Sequence, residues 1–271
     1  MNTKSSKVFL SYSWEDRIIA STILRQLYNQ NISVYDPAFA DTLINAVHNS
    51  LSASDCIIIL LSNYYSKSKW CQKEFEYLIN SELNLMDISV YTIIIDDCDI
   101  PKYLNNSIIF DLRSSNQLDL NLLTEKIKLA LSIDFSTLNG FLFEKLVVDL
   151  LLKNNAFNII QNNFTNDIFD LLITSRQSKP LYYVNLKFYH SSKADFKSLY
   201  NMYTYINQTD EKIKGLLITN SRLTSASQEW INKHNVDKTI EVIDGTALRK
   251  LLLTNTDLIY KYFIQRERVE T

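Results

Sequence analysis

Glycine is almost missing from this chain. Gly140, Gly215 and Gly245 are the only three in 271 residues, and none falls in the first 139. A phosphate-cradling loop or a dinucleotide fingerprint needs clustered glycines, because backbone N–H groups must come close to the phosphates. Neither can be built here, so any nucleotide must be held in another way. Histidine is as scarce, and His48, His190 and His234 lack ligand-like spacing, which argues against a structural zinc site. Three cysteines, Cys56, Cys71 and Cys98, are odd in number and form no C-x-x-C pair. They fit reduced thiols in a cytoplasm rather than a disulfide framework. The longest aliphatic runs, such as Ile57–Leu61, fall far short of the roughly 20 residues that span a bilayer. The apolar stretch near the N-terminus is too short for a secretory signal. No membrane contact is expected.

What is present describes an ordinary globular chain. Hydrophobic residues make up 46% and charged residues 21%, far from a disordered composition. The length suggests two domains. Charge divides unevenly: residues 1–134 carry 11 basic and 16 acidic side chains, a balance of −5, whereas residues 135–271 carry 17 and 14, a balance of +3. The mild basic excess permits contact with a polyanion without demanding it.

The first half alternates strand and helix. Short β-rich runs lie at Lys7–Ser13, Ile32–Tyr35, Cys56–Ser62, Val90–Asp96 and Ser107–Leu112. Helical spacing fills Asp16–Gln30, Leu43–Leu51, Trp70–Leu83 and Leu118–Leu131. The unbroken run CIIILLS reads as a strand buried on both faces. Five strands separated by helices imply a parallel sheet covered on both sides, complete by about residue 134.

The second half restarts in a different order. A helix over Thr137–Asn154 precedes strands at Phe157–Asn162, Phe169–Thr174 and Tyr182–Tyr189, with a turn at Ser178-Lys179-Pro180. A helix at Ala194–Ile206, a strand at Lys214–Thr219, a helix at Ser225–Lys233, a strand at Ile240–Ile243 and a helix at Thr246–Leu253 follow. The tail Asp257–Arg268 reads as helical.

Four motifs in the first half resemble those of bacterial TIR domains, in the same order. They are Val8-Phe9-Leu10-Ser11-Tyr12-Ser13-Trp14-Glu15-Asp16, the strand Ser54–Ser62, the W-C-x-x-E motif Trp70-Cys71-Gln72-Lys73-Glu74, and Ile95–Pro101 followed by Phe110-Asp111-Leu112-Arg113. The resemblance implies a flavodoxin-like fold, which agrees with the strand–helix alternation. It also implies cleavage of NAD+ at the nicotinamide–ribose bond, with Glu74 as the catalytic residue and Tyr12, Trp14, Asp36 and Trp70 around the substrate. No cofactor is required, since NAD+ is the substrate. The nicotinamide is already cationic and leaves without a general acid, so one carboxylate can suffice where ordinary glycosidases use two. Trp70 and Glu74 stand at i and i+4 and share one face of a helix that has begun by Trp70. Packing of Trp70, Tyr12 and Trp14 onto the sheet is the plainer reading of those rings. The loop Asp36–Thr42 is short and glycine-free, a departure from the family pattern that bears on assembly. TIR enzymes often complete their cleft between subunits, so a homo-oligomer on activation is expected.

The second half resembles an Mrr-type PD-(D/E)xK nuclease domain. The residues that carry this are Phe143-Glu144, then Asp167–Leu171, then Val184-Asn185-Leu186-Lys187-Phe188-Tyr189, and later Gly215–Asn220 and Ile243–Leu248. By position Asp170 matches the metal-binding aspartate, Lys187 the lysine and Glu144 the assisting helical glutamate. Asn185 stands where the family has Glu or Gln, leaving the site attenuated or dead. Mg2+ enters only if this site works, with Asp170 as its ligand. Lys193, Lys197, Lys212, Lys214, Arg222 and Lys233 are candidates to face nucleic acid, or form a solvated surface.

Three functions follow. The first is an NAD+ glycohydrolase of bacterial antiphage defence, its second domain sensing a nucleic-acid or phage-derived trigger or driving assembly. The second is a Mg2+-dependent DNA endonuclease with a TIR signalling module. The third is a non-catalytic adaptor. The retained W-C-x-x-E motif favours the first over the third, and Asn185 favours the first over the second. The expected architecture is α/β throughout: a flavodoxin-like five-stranded parallel TIR sheet in 1–134, then a restriction-endonuclease-like α/β domain with a helical tail in 135–271.

Overall fold

The computed structural model describes residues 7–35, 54, 56–69, 71–72, 89–104, 107–113, 120–153, 157–161, 168–190, 196–208, 213–234 and 236–265. The chain divides into two compact units, Met1–Leu131 and Ser132–Thr271. The segments read as helices at Leu43–Leu51 and, apart from Cys71 and Gln72, at Trp70–Leu83 lie outside the described residues.

In the first unit, β1 (Lys7–Ser11) leads through a 3-10 turn at Trp14–Asp16 into α1 (Arg17–Asn29). Then come β2 (Ser33–Tyr35), β3 (Cys56–Leu61), a short α2 (Asn63–Lys67), β4 (Ser89–Ile94), β5 (Ile108–Asp111) and α3 (Leu120–Ser132). The sheet order is β2-β1-β3-β4-β5, and every pair is parallel. That is the flavodoxin-like winding implied by the resemblance, and the parallel sheet expected from the strand–helix alternation. β3 lies at the centre with all six residues buried, which is why its sequence is apolar without alternation. Ile57, Ile59 and Leu61 share one core with Phe9, Tyr65, Cys71, Ile94, Cys98 and Leu104. α1 buries Ala20, Ile23, Leu24 and Leu27 and ends with Asn31 at φ 60°. Ile32 N–H reaches back to the Leu27 carbonyl at 3.1 Å, so asparagine closes this helix where glycine is the usual choice.

In the second unit, α4 (Gly140–Leu152) precedes β6 (Phe157–Gln161), β7 (Leu171–Ser175), β8 (Pro180–Lys187), α5 (Phe196–Gln208), β9 (Lys214–Thr219), α6 (Ser225–His234), β10 (Ile240–Ile243), α7 (Gly245–Leu253) and α8 (Thr256–Ile259). The sheet order is β10-β9-β8-β7-β6. β6, β7 and β8 form an antiparallel meander, while β8, β9 and β10 run parallel. The helix expected over Thr137–Asn154 begins later, because a 3-10 turn at Phe135–Thr137 is followed by a fresh cap. There the Asn139 side chain accepts from Leu142 N–H. The tail begins at Thr256 and widens into π-type hydrogen bonding over Tyr260–Ile264. The register lets two adjacent residues grip α4: the Tyr262 hydroxyl and the Lys261 ammonium both donate to Asp149 at 2.6 Å.

The rare glycines divide by what surrounds them. A Cβ on Gly245 would meet the backbone oxygen of Asn220 at 2.2 Å and its carbonyl carbon at 2.8 Å, whereas nothing lies within 4 Å of one on Gly140. Gly245 N–H also bonds the Ser221 carbonyl at 2.9 Å, so α7 starts pressed against the turn after β9. Gly245→Ala is expected to cost about 2–3 kcal/mol by overpacking against rigid backbone. Gly140→Ala should add about 0.5 kcal/mol through the unfolded chain. Urea unfolding of the two variants checks the order; equal midpoints would mean that α7 does not pack as described.

Candidate functional site

A doubly wound parallel sheet offers its ligand crevice at the carboxyl ends of the strands, where successive connections leave in opposite directions. In the first unit that point lies between β1 and β3. The chain after β1 supplies Tyr12, Ser13, Trp14, Glu15 and Asp16; the chain after β3 supplies Ser62 and Asn63; β4 leads to Asp96. Asp16 is only 6% exposed and Ser62 is fully buried. The Ser62 hydroxyl donates to Asp16 Oδ2 at 2.5 Å and accepts the Tyr65 N–H at 2.9 Å, capping α2. Asn63 N–H donates to both carboxylate oxygens of Asp96 at 3.0 Å. Two separate hydrogen-bonded pairs thereby tie the end of β3 to the chain after β1 and to the chain after β4.

The electrostatics follow from burial. Loss of water pushes the Asp16 carboxyl above its usual range; the Ser62 hydrogen bond opposes this, and the charges of Asp96 and Glu15 add to it. Glu15 moves the other way, because the Ser13 hydroxyl donates to it. Burial beside Asp96 pushes the Cys98 thiol up to about 11. It therefore stays protonated and is no nucleophile at neutral pH. Cys71 is buried and its thiol points to the Tyr12 carbonyl, Sγ to O 3.7 Å, in keeping with a small core residue.

The sequence-expected substrate residues separate into two groups. Tyr12 and Trp14 sit together on the loop after β1. Tyr12 is half-buried, and Trp14 is 62% exposed with the Arg17 guanidinium 5.2 Å over its ring. Trp14 therefore does not pack onto the sheet. Asp36, Trp70 and Glu74 lie outside the described residues. The start of the W-C-x-x-E helix is described: Lys69, Cys71 and Gln72 are helical. The Ser68 hydroxyl accepts Cys71 N–H at 3.3 Å, and the Ser68 carbonyl accepts Gln72 N–H at 3.0 Å. Asp16, Ser62 and Asp96, which hydrogen bonds bring to this crevice, were not among the sequence-expected site residues. A serine ending an apolar strand just ahead of a polar turn was the available signal, as a cap.

In the second unit, Asp170 lies just before β7 and Asn185 and Lys187 on β8, two apart and so on one face. Asp170 N–H donates to the Val184 carbonyl at 2.9 Å, and its Oδ2 accepts Leu186 N–H at 2.6 Å. Asn185, 3% exposed, donates its Nδ2 to the Ile168 carbonyl, while its Oδ1 is buried without a hydrogen-bond partner. Turning the amide over would set Oδ1 against the Ile168 oxygen, so this orientation is the better of the two. Glu144 is half-buried on α4, next to Phe143. Among the described residues no three His, Cys, Asp or Glu side chains are grouped to hold a metal. Among the described residues, Asp170 with one oxygen already engaged and the sealed amide of Asn185 fit poorly to a Mg2+ site, which needs several accessible oxygens. Of the candidate basic residues, Lys214 is paired with Glu241 at 2.9 Å. Lys197 and Lys233 are exposed and Arg222 half-buried, and Lys193 and Lys212 lie outside the described residues. No described helix is long and apolar enough to cross a membrane.

Comparison with known proteins places these units. Residues 8–124 match the family model described as TIR domain, and residues 135–252 match the one described as restriction endonuclease. No curated protein matches the chain. Among solved structures, the TIR domain of the Toll-related receptor TRR-2 from Hydra magnipapillata is 20% identical over 39% of this chain and 82% of its own, with a TM-score of 0.33. A repair endonuclease from Pyrococcus abyssi is 19% identical over 36% of this chain and 45% of its own, TM-score 0.27. The MspJI restriction endonuclease, in complex with a 27-mer oligonucleotide, is 12% identical over 58% and 40%, TM-score 0.33. The chain thus spans less than half the length of either endonuclease. In sequence order, then, this chain joins a TIR domain to a domain of the restriction endonuclease family.

Proposed function

We propose that the chain is an NAD+ glycohydrolase whose TIR domain breaks the nicotinamide–ribose bond. The C1′–N bond opens, neutral nicotinamide leaves with the bonding pair, water supplies the hydroxyl at C1′, and one proton is released. Glu74 steadies the oxocarbenium-like sugar as the ring departs. Tyr12, Trp14, Trp70 and Asp36 surround the dinucleotide. The observation that carries this reading is the W-C-x-x-E motif at residues 70–74 within the TIR match, of which Cys71 and Gln72 are helical with the Cys71 thiol facing the Tyr12 carbonyl after β1. The second domain senses a trigger, nucleic acid or phage-derived, or drives the homo-oligomerisation that completes the cleft. Such a cytoplasmic effector fits antiphage defence by NAD+ depletion.

The test uses the full chain at high concentration. NAD+ is supplied in one sample, and plasmid with Mg2+ in another. Release of nicotinamide without plasmid cleavage is the expected outcome. Cleavage without nicotinamide would reverse the assignment in favour of the nuclease domain, and silence in both, with oligomers present, would favour an adaptor.

A further inference from the structure

Two helices of the second unit meet through aromatic rings. α5 sends Leu199, Met202 and Ile206 into the core. Beside that stripe, Phe196, Tyr200 and Tyr203 stand at i, i+4 and i+7 and so share one flank. Trp230 on α6 lies against all three. Its ring centre is 5.0 Å from Phe196 and 5.3 Å from Tyr203, both nearly perpendicular to it, and 6.1 Å from Tyr200. His234, one turn further along α6, lies 5.4 Å from the same ring. Edge-to-face contacts of this kind account for Tyr203 and Trp230, which are half-buried and join the two helices. They do not account for Phe196 and Tyr200. Those rings lie 5.7 Å apart, tilted by 33°, and remain 37% and 49% exposed. Charge also sets this surface apart. α5 has no acidic side chain and α6 has only Glu229. Lys197 and Lys233, next in sequence to Phe196 and His234, are exposed and join no ion pair among the described residues, unlike Lys214.

Exposed rings beside such cations suit a ligand that offers flat faces and negative charge together. A single-stranded nucleic acid does so, because its bases are free to stack and each phosphate carries a charge. A duplex hides the same faces in its own stack, and an acidic peptide supplies only the charge. We propose that Phe196 and Tyr200, backed by Trp230 and accompanied by Lys197 on α5 and Lys233 on α6, form a binding face for single-stranded nucleic acid. The face is carried by two helices and includes none of Asp170, Asn185 and Lys187. It gives one chemistry to the trigger sensing proposed above, and rests on that reading only for its consequence, a rise in NAD+ cleavage.

Fluorescence anisotropy of a labelled oligothymidylate of roughly 12 nucleotides, titrated with the full chain, tests the proposal. Tyr200→Ala should weaken binding about tenfold, within the range for loss of one stacked base. Tyr200→Phe keeps the ring and should stay within about twofold of the parent. Replacing Lys197 and Lys233 together by alanine should lower the slope of log affinity against log salt by about 1.4, the share of two phosphate contacts. Oligouridylate should bind within about threefold of oligothymidylate, because rings read base faces and not the sugar. An unlabelled duplex of the same length should compete poorly. Thermal unfolding of each variant should match the parent's, since the altered positions are exposed; if Tyr200→Ala unfolds early, the lysine pair and the duplex competition still decide. No binding by the parent, a Tyr200→Ala variant that is folded and binds as well, an unchanged salt slope in the lysine variant, or a duplex that competes equally would overturn the proposal. So would a polyglutamate of the same length that displaces the strand as well as unlabelled oligothymidylate does. Nicotinamide release with and without the oligonucleotide separates the two readings. Ring-dependent binding with no gain in release would leave the binding face standing and remove the sensing role.

Discussion

Replacing Glu74 by alanine is expected to remove NAD+ turnover, by about a thousandfold, at the upper end of the loss seen when one preorganised electrostatic group is deleted. The size follows from the chemistry. Nicotinamide carries a positive charge in NAD+ and becomes neutral as it leaves, so the leaving group needs no proton. The remaining demand is for negative charge beside C1′ as the sugar turns cationic. A single carboxylate meets that demand, and with it gone nothing in the W-C-x-x-E motif replaces it. Glu74→Gln separates charge from shape, since the amide keeps the volume and hydrogen-bonding reach but not the charge; it should be nearly as inactive. Stability should hardly move, because alanine is at least as good a helix former as glutamate. Nicotinamide release and thermal unfolding, read on the same preparations, check both halves. Turnover retained in Glu74→Ala would take this residue out of the reaction.

The sheet was legible because its physics is local. CIIILL has no polar residue, and only a strand with both faces covered tolerates that; β3 is indeed the middle strand with every residue buried. The turn between β7 and β8 was equally plain, from Ser178-Lys179-Pro180 between two β-rich runs; Ser178 takes φ 61° there. What escaped was decided by distant partners. β1 stops at Ser11 rather than Ser13, and the next carbonyl, that of Tyr12, faces Cys71, 59 residues away. α2 is five residues of mixed polarity, too short for any helical period to show. Asp16 lies just before a helix, where an aspartate normally caps in contact with solvent. No side-chain cap bond forms, and the carboxylate is turned inward to a serine 46 residues on. A pattern along the chain carries no information about such a pairing.

The same limit applies to Asn185, and it yields the second large effect. From sequence alone, this asparagine is a weaker metal ligand than the family's Glu or Gln position calls for, which leaves the site attenuated or dead. The structure gives it another task. Nδ2 holds the Ile168 carbonyl ahead of β7, and Asp170 returns the favour by holding Leu186 N–H on β8. Both motif positions brace backbone. Asn185→Asp would replace a donor by a carboxylate facing a carbonyl oxygen, at a position 3% exposed. Leaving a buried charge unpaired costs about 3–5 kcal/mol. The sign with pH is fixed by the same physics. The buried aspartate titrates above its unfolded value, so the protonated form can still donate to Ile168 and the variant approaches the parent in acid. Stability is lost as pH rises from the unfolded pKa, about 4, through the higher folded one. Unfolding midpoints of parent and variant between pH 4 and pH 8 should therefore diverge upward in pH, and millimolar Mg2+ or Mn2+ should not bring them back together. A variant as stable as the parent at neutral pH, or one rescued by the cation and then able to nick plasmid, would mean that Asn185 faces an open metal site. The second domain would then be one side chain away from a working nuclease.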